Sequence, residues 1–190
     1  MEMTGLEKLF VNSDFCNFLN KKLVFPPFFE FIGKNLEGKA LEIGCGAGMT
    51  SHLLSKRYKG LAITAIDYDR EQIKIAGKHK KTKNIKFQQG DGANLKFRNS
   101  SFDYVIETNV FHHIKNYPKA IKEVHRVLKT DGTFYLTDIS KYGYIWPLSL
   151  LFPPESIFTK KRFAKELENN GFRVEKSAGR LFFKIAARRI

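Results

Sequence analysis

The chain has 190 residues, 43% hydrophobic and 27% charged, which fits one globular domain with a full core and excludes a disordered chain. No stretch approaches the roughly 20 uninterrupted apolar residues of a membrane-spanning helix, and the opening MEMTGLEKLF lacks the basic-then-apolar layout of a secretion signal, so a soluble, cytoplasmic protein is expected. The net charge of +14 admits an anionic partner, either RNA or an acidic membrane surface, alongside the plainer reading of a lysine-rich solvated surface.

Residues 1–36 are rich in phenylalanine: Phe10, Phe15, Phe18, Phe25, Phe28, Phe29 and Phe31 are too many to leave in water, so this segment must pack on something. Pro26-Pro27 divides it into two helical pieces. Strand and helix signals then alternate. ALEIG (40–44) is an apolar strand closing on glycines, 50–58 a helix, LAITAI (61–66) a strand, 69–79 a helix and NIKFQQ (84–89) a third strand. FDYVIET (102–108) is the fourth. Residues 118–129 form a helix with Ala120, Ile121, Val124, Val127 and Leu128 on one face. Asp131-Gly132 makes a turn into the fifth strand, TFYLTDI (133–139). A helix over about 161–170 and a hairpin of FRVEKS (172–177) and LFFKIAAR (181–188) close the chain. This order predicts an α/β fold in a single domain: a Rossmann-like, doubly wound sheet, mostly parallel with an antiparallel C-terminal hairpin strand and helices on both faces.

Glu42-Ile43-Gly44-Cys45-Gly46-Ala47-Gly48 follows a strand and opens a helix, the context in which a glycine turn binds a ligand. Its spacing is G-x-G-x-G. A dinucleotide fingerprint would place its third glycine at position 49, which is Met49. Cys16 and Cys45 are too few for a disulfide framework or a zinc site, and no metal-ligand cluster is expected. Asp67 ends the second strand, where a carboxylate accepts hydrogen bonds from a ribose diol or caps the next helix, a role better suited to Asp69. Gly90-Asp91-Gly92-Ala93 after the third strand reads on its own as an ordinary turn.

Together these residues resemble the class I S-adenosylmethionine-dependent methyltransferases, in particular the methyltransferase type 11 group, from about residue 38 to 140 and again in the final hairpin. The downstream run Glu123-Val124-His125-Arg126-Val127-Leu128-Lys129-Thr130-Asp131-Gly132 is similar to that group's E-x-x-R-V-L-K-P-G-G signature, with Thr130 and Asp131 in place of Pro-Gly. The resemblance implies S-adenosylmethionine as cofactor, held by Glu42 and the loop of Gly44, Cys45, Gly46 and Gly48. It also implies Asp67 on the ribose, Tyr68 beside the adenine, Asp91 on the adenine amino group with Gly92 following, and Asn109 lining the methyl-donor pocket. His112 and His113 follow Asn109. His113 is the candidate general base, since imidazole suits neutral pH, against a packing role for either ring.

Methyl transfer from a sulfonium asks mainly for alignment and exclusion of water, so the cofactor site is more legible than the acceptor site. No Asn/Asp-Pro-Pro-Tyr/Phe follows the fourth strand, which disfavours amino-methylation of DNA bases or glutamine, and two cysteines do not fit an arsenite- or cytosine-C5-methylating pattern. The long aromatic loop 140–159, with residues 1–36, is expected either as a lid over the acceptor edge or as a hydrophobic clasp on the sheet. Lys160, Lys161 and Arg162 fall on the rim of that edge. Aromatics beside a basic rim suit a small amphiphilic or lipid-like acceptor met at a membrane surface. RNA methylation is the alternative, and a non-catalytic S-adenosylmethionine-binding protein is the third reading.

Overall fold

The computed structural model describes residues 20–78, 82–142 and 158–190, together with 9, 12, 13, 15 and 18. Its strands are β1 (Gly38–Ile43), β2 (Leu61–Asp67), β3 (Ile85–Gln89), β4 (Phe102–Thr108), β5 (Leu128–Ile139), β6 (Phe172–Ala178) and β7 (Phe182–Arg189). Its helices are α1 (Phe25–Ile32), α2 (Met49–Arg57), α3 (Arg70–Lys78), α4 (Tyr117–Val127) and α5 (Lys160–Asn169), with a π-helical turn at Asn20–Val24 before α1 and a 3₁₀ turn at Phe111–His113. Among the described residues no helix is long and apolar enough to cross a membrane.

The seven strands form one sheet in the order β3-β2-β1-β4-β5-β7-β6. β1 to β5 are parallel, and β7 enters antiparallel between β5 and β6. The chain winds outward from β1 through β2 to β3, then returns to place β4 on the other side of β1. The loops leaving β1 and β4 therefore diverge, and the crevice they open at the carboxyl edge is where an open α/β sheet binds its ligand.

Both faces of the sheet are apolar because both are covered. On one face α4 and α5 bring Ile121, Val124, Phe163 and Leu167 against Val105, Phe134 and Phe183. On the other, α1 and α2 bring Phe25, Phe28, Phe29, Ile32 and Leu54 against Ile63, Ala65 and Ile106. Pro26 and Pro27 lie in the first turn of α1, where a missing N–H costs nothing. Lys176 Nζ donates to Phe31 O at 3.0 Å and sits 4.4 Å from the Phe31 ring centroid, while the Tyr58 hydroxyl donates to Gly33 O at 2.7 Å. Residues 25–36 thus clasp a sheet face. Phe15 and Phe18 are exposed; Phe10 and Cys16 lie outside the described residues, as does 143–157 of the expected acceptor-edge loop.

Most element boundaries fall within a residue or two of expectation, and the largest difference is at the start of β5. The helix ends at Val127 rather than 129, and β5 begins at Leu128. Leu128 turns to φ −66°, ψ 145° and is fully buried opposite Phe102. Core burial at this position outweighs continued helix. The Asp131-Gly132 turn survives as an irregularity within β5, with Asp131 at φ 62°.

Candidate functional site

The loop after β1 is held in place by its own backbone. Gly44 and Cys45 N–H both donate to Ile66 O, at 2.8 and 2.9 Å. Gly44 adopts φ 71°, and a Cβ there would lie 2.2 Å from Val110 Cγ2, so the loop approaches the β4 loop as closely as only glycine permits. Gly46, at φ 50°, faces the opposite condition: the nearest atom to a Cβ is Gln72 Oε1, at 4.0 Å. One glycine is needed for packing, and the other borders open space.

Asp67 joins this loop to the end of β2. Its Oδ2 accepts Gly46 N–H at 2.8 Å and its Oδ1 accepts Asp69 N–H at 2.9 Å. A carboxylate has about four lone-pair sites, so two remain for a ligand diol. Burial raises its pKa, with the charge of Asp69 adding to the rise and the two N–H donors opposing it. Asp69 caps α3, accepting Glu71 N–H at 2.8 Å, as the sequence suggests.

Glu42 lies beneath the loop, 1% exposed. Its Oε2 accepts the Ser51 hydroxyl from α2, and its Oε1 has no partner among the described residues. Burial pushes its pKa up to about 7, with the neighbouring Asp67 adding to the rise. The Cys45 thiol is buried, and burial together with Glu42 and Asp67 raises its pKa well above the usual range. It is therefore a small packed side chain rather than a nucleophile. Ser51 and Gln72, both buried, carry no motif signal. Only their place on the inward faces of α2 and α3 would have singled them out.

Tyr68 is 47% exposed beside Asp67. Asp91 accepts Ala93 N–H at 2.8 Å in an Asx turn and is itself exposed, so its carboxylate shapes the loop after β3. A Cβ on Gly92 would lie 2.9 Å from Ile43 Cγ2, which packs this loop onto the end of β1. Asn109 leaves β4 with φ 58°, its N–H donating to Thr137 O at 2.8 Å and its Oδ1 without a partner among the described residues. A left-handed non-glycine residue at a strand end marks a backbone held in a costly shape, a feature that clusters at functional sites.

Beyond Asn109 lies a buried acidic pair with an imidazole. Asp138, at the end of β5, is fully buried and accepts His112 Nδ1–H at 2.5 Å, His112 N–H at 3.2 Å and Ile139 N–H at 2.6 Å. Glu107, also fully buried, accepts Val110 N–H, and burial together with the Asp138 charge raises its pKa well above the carboxylate range. The His113 ring centroid lies 4.0 Å from that of His112, the two rings tilted by 45°. His112 is oriented by the Asp138 carboxylate. The alternation of TFYLTDI gave Asp138 only as a strand-end residue.

These residues fit a cationic adenosyl ligand. In a chain of net charge +14, the buried carboxyl groups of Glu42, Asp67 and Asp69 gather at the carboxyl ends of β1 and β2, and the oxygens Glu42 Oε1, Gln72 Oε1 and Asn109 Oδ1 lack partners among the described residues. Buried unsatisfied oxygens of this kind call for a donor or a positive charge. A pyrophosphate would meet buried carboxylates beneath the loop, which argues against a dinucleotide.

A family model described as a methyltransferase domain matches residues 41–136. The chain is 36% identical over 105 residues to methyltransferase YcgJ of Bacillus subtilis, covering 54% of this chain and 41% of that protein. It is 29% identical over 170 residues to the mitochondrial ubiquinone biosynthesis O-methyltransferase of Rattus norvegicus, covering 79% of this chain and 49% of that protein. The chain thus spans less than half the length of these relatives. A crystal structure of an S-adenosylmethionine-dependent methyltransferase from Aquifex aeolicus shares the fold, with a TM-score of 0.79 at 18% identity and full coverage of both chains.

Proposed function

Because this chain belongs to the class I S-adenosylmethionine-dependent methyltransferases, we propose that it methylates a hydroxyl of an amphiphilic, lipid-like acceptor. The observation that carries the hydroxyl is the His112–Asp138 pair at the end of β5, on the side of the crevice away from Asp67. A hydroxyl must lose its proton to become a competent nucleophile, and an imidazole held by a buried carboxylate is suited to take it at neutral pH. The lipid-like character is supported by the rat relative, named for O-methylation in ubiquinone biosynthesis.

When bound, S-adenosylmethionine supplies a methyl group already activated on a positively charged sulfur. Asp67 offers its two remaining lone pairs to the ribose diol, Tyr68 its exposed ring to the adenine, and the Asp91–Gly92 loop its backbone to the adenine edge. Glu42 and Asn109 set negative charge and oxygen acceptors around the cationic end. Asp138 holds the His112 ring through Nδ1, which orients the imidazole to take the acceptor's proton, and the nearby carboxylate stabilises the imidazolium that results. His112 then releases that proton to solvent. His113 packs against this ring and limits its rotation.

Two measurements test this reading. Calorimetry with S-adenosylmethionine and S-adenosylhomocysteine, against NAD and NADP, should give micromolar binding of the adenosyl ligands alone. Tritium-labelled methyl should then pass to a total lipid extract and resist mild alkaline hydrolysis, as an ether does. Label in RNA instead, or none in either, would overturn the acceptor class. Absence of adenosyl binding would overturn the cofactor.

A further inference from the structure

At the acceptor end of the crevice, the last residues of β5 and the turn between β6 and β7 form one solid tip. Ser140 N–H donates to Leu181 O at 2.8 Å, and the Ser140 hydroxyl donates to Arg180 O at 2.6 Å. Tyr142 N–H returns to Ser140 Oγ at 3.2 Å, and Ile139 pairs in register with Phe182. The start of α5 is tied to the same place, since Lys141 N–H donates to Phe158 O at 2.9 Å.

Two properties of this tip are unusual together. Tyr142, Leu181 and Phe182 are 50%, 48% and 48% exposed, three large apolar side chains projecting from hydrogen-bonded backbone rather than from a loose end. Among the described residues next to them, the exposed or partly exposed charged side chains are basic. In 139–142, 158–162 and 178–184 these are Lys141, Lys160, Lys161, Arg162, Arg180 and Lys184, with no Asp or Glu. Lys184 is engaged with Pro27 O at 3.5 Å; Lys161, Arg162 and Arg180 are exposed.

We propose that this tip docks the protein on the surface of an anionic lipid bilayer. Apolar side chains that enter the headgroup layer, ringed by cations that meet acidic lipid, are the two signals that together give stable but reversible membrane binding. The same charges would attract RNA, but the apolar residues do not suit it. Leu181 has no ring to stack on a base, and the Tyr142 ring is already flanked by Lys141 Nζ at 5.2 Å and Arg180 Cζ at 5.4 Å from its centroid. The purpose of the surface rests on the lipid-like acceptor proposed above, because docking would bring the carboxyl edge of the sheet, where β5 ends beside His112 and Asp138, to molecules dissolved in the bilayer. The surface itself is testable without cofactor or acceptor.

The test is co-sedimentation of the full chain with vesicles of phosphatidylcholine alone and with about one third phosphatidylglycerol. Binding is expected with the acidic vesicles only, weakening as salt rises through the physiological range. Arg180→Glu should reduce it about fivefold or more. Leu181→Ser with Phe182→Ser should reduce it at least tenfold while thermal unfolding and S-adenosylmethionine binding are retained. Equal binding to both vesicle types, no loss in the folded double variant, or a single-stranded RNA oligonucleotide bound in preference to acidic vesicles would each overturn the proposal. None of these results bears on methyl transfer, which fails or stands on the labelling experiment.

Discussion

Gly46 N–H donates to Asp67 Oδ2 at 2.8 Å, so the residue expected to hold the ribose also fastens the glycine loop to the end of β2. A structural role and the proposed ligand-binding role share one carboxylate. Asp67→Asn would turn an amide toward backbone donors and leave one of them unsatisfied, costing about 1–3 kcal/mol of stability. Asp67→Ala would free both Gly46 and Asp69 N–H groups. Both variants should unfold at lower temperature and bind S-adenosylmethionine at least tenfold more weakly by calorimetry. Loss of affinity with unchanged stability would contradict the fastening role.

Glu42 makes stability depend on pH in an unusual direction. Its pKa rises from 4.5 to about 7 on folding, so between these values the folded chain holds a proton that the unfolded chain has released. Stability therefore falls as pH rises through about 4.5 to 7, by about 3 kcal/mol in the limit of this group alone. Buried Glu107 shifts in the same direction. Glu42→Gln should flatten the slope and raise the unfolding temperature at pH 8. A cationic cofactor favours ionised Glu42, so its binding should release a proton near pH 7. Calorimetry in buffers of different ionisation enthalpy reads that proton, and its persistence in Glu42→Gln would assign it to another group.

Arg126 gives the Glu-x-x-Arg signature a physical cause. Its guanidinium donates to Glu123 through Nε and Nη2, each at 2.8 Å, to Leu95 O at 2.8 Å, to Phe97 O at 2.7 Å and to Asn99 Oδ1 at 2.9 Å. Glu123 in turn accepts Leu95 N–H at 2.8 Å. The pair clamps 95–99, the segment that carries the Asp91–Gly92 turn into β4. Lys cannot reproduce this planar fork. Arg126→Lys should cost about 2 kcal/mol and weaken cofactor affinity several-fold, with little change in turnover at saturating cofactor. A fall in turnover alone would place Arg126 elsewhere.

The parts of the site legible in sequence are those fixed by backbone geometry. Gly44, Gly46 and Asp67 stand at strand ends whose position follows from the alternation of apolar strands and amphipathic helices, and G-x-G-x-G spacing told them from a dinucleotide loop. The mostly parallel sheet with its antiparallel C-terminal hairpin strand likewise followed from the alternation of strand and helix signals. What stayed hidden depends on long-range pairing. His112 and Asp138 are 26 residues apart, and adjacent histidines look equivalent until the fold brings a carboxylate to one of them. Asp91, a ligand carboxylate by resemblance, also accepts Ala93 N–H in an Asx turn, the local role that an Asp-Gly turn suggests on its own. The end of α4 was misplaced because Leu128 continues the helical apolar stripe as well as it fills the core opposite Phe102.

The orientation of His112 by Asp138 predicts unequal histidines. His112→Asn should lower the labelling rate on lipid extract about 10²–10⁴-fold while leaving S-adenosylmethionine affinity within a few-fold. Asp138→Asn should lower it less and shift the pH–rate profile, because the imidazolium loses its counter-charge. His113→Gln should have the smallest effect. Raising pH ionises an acidic hydroxyl without help from the protein, so the His112→Asn rate should recover toward wild type in alkali. A purely structural role would lower the rate equally at every pH.

Gly44 and Gly46 separate folding from binding within three residues. At Gly44 a methyl group would press into Val110 and the backbone would keep φ 71°; left-handed strain of about 1–2 kcal/mol and overpacking of about 1–3 kcal/mol act together. Gly44→Ala should therefore lose about 3 kcal/mol of stability by thermal or denaturant unfolding. At Gly46, φ is 50° but the space is open to 4.0 Å, so Gly46→Ala carries the backbone strain alone. Its stability loss should be about half as large or less. If the open space beside Gly46 is where the cofactor's backbone contact is made, the added methyl should weaken S-adenosylmethionine binding by tenfold or more in a well-folded protein. Gly46→Ala with unaltered affinity would move the cofactor out of this loop, whatever the stability of Gly44→Ala.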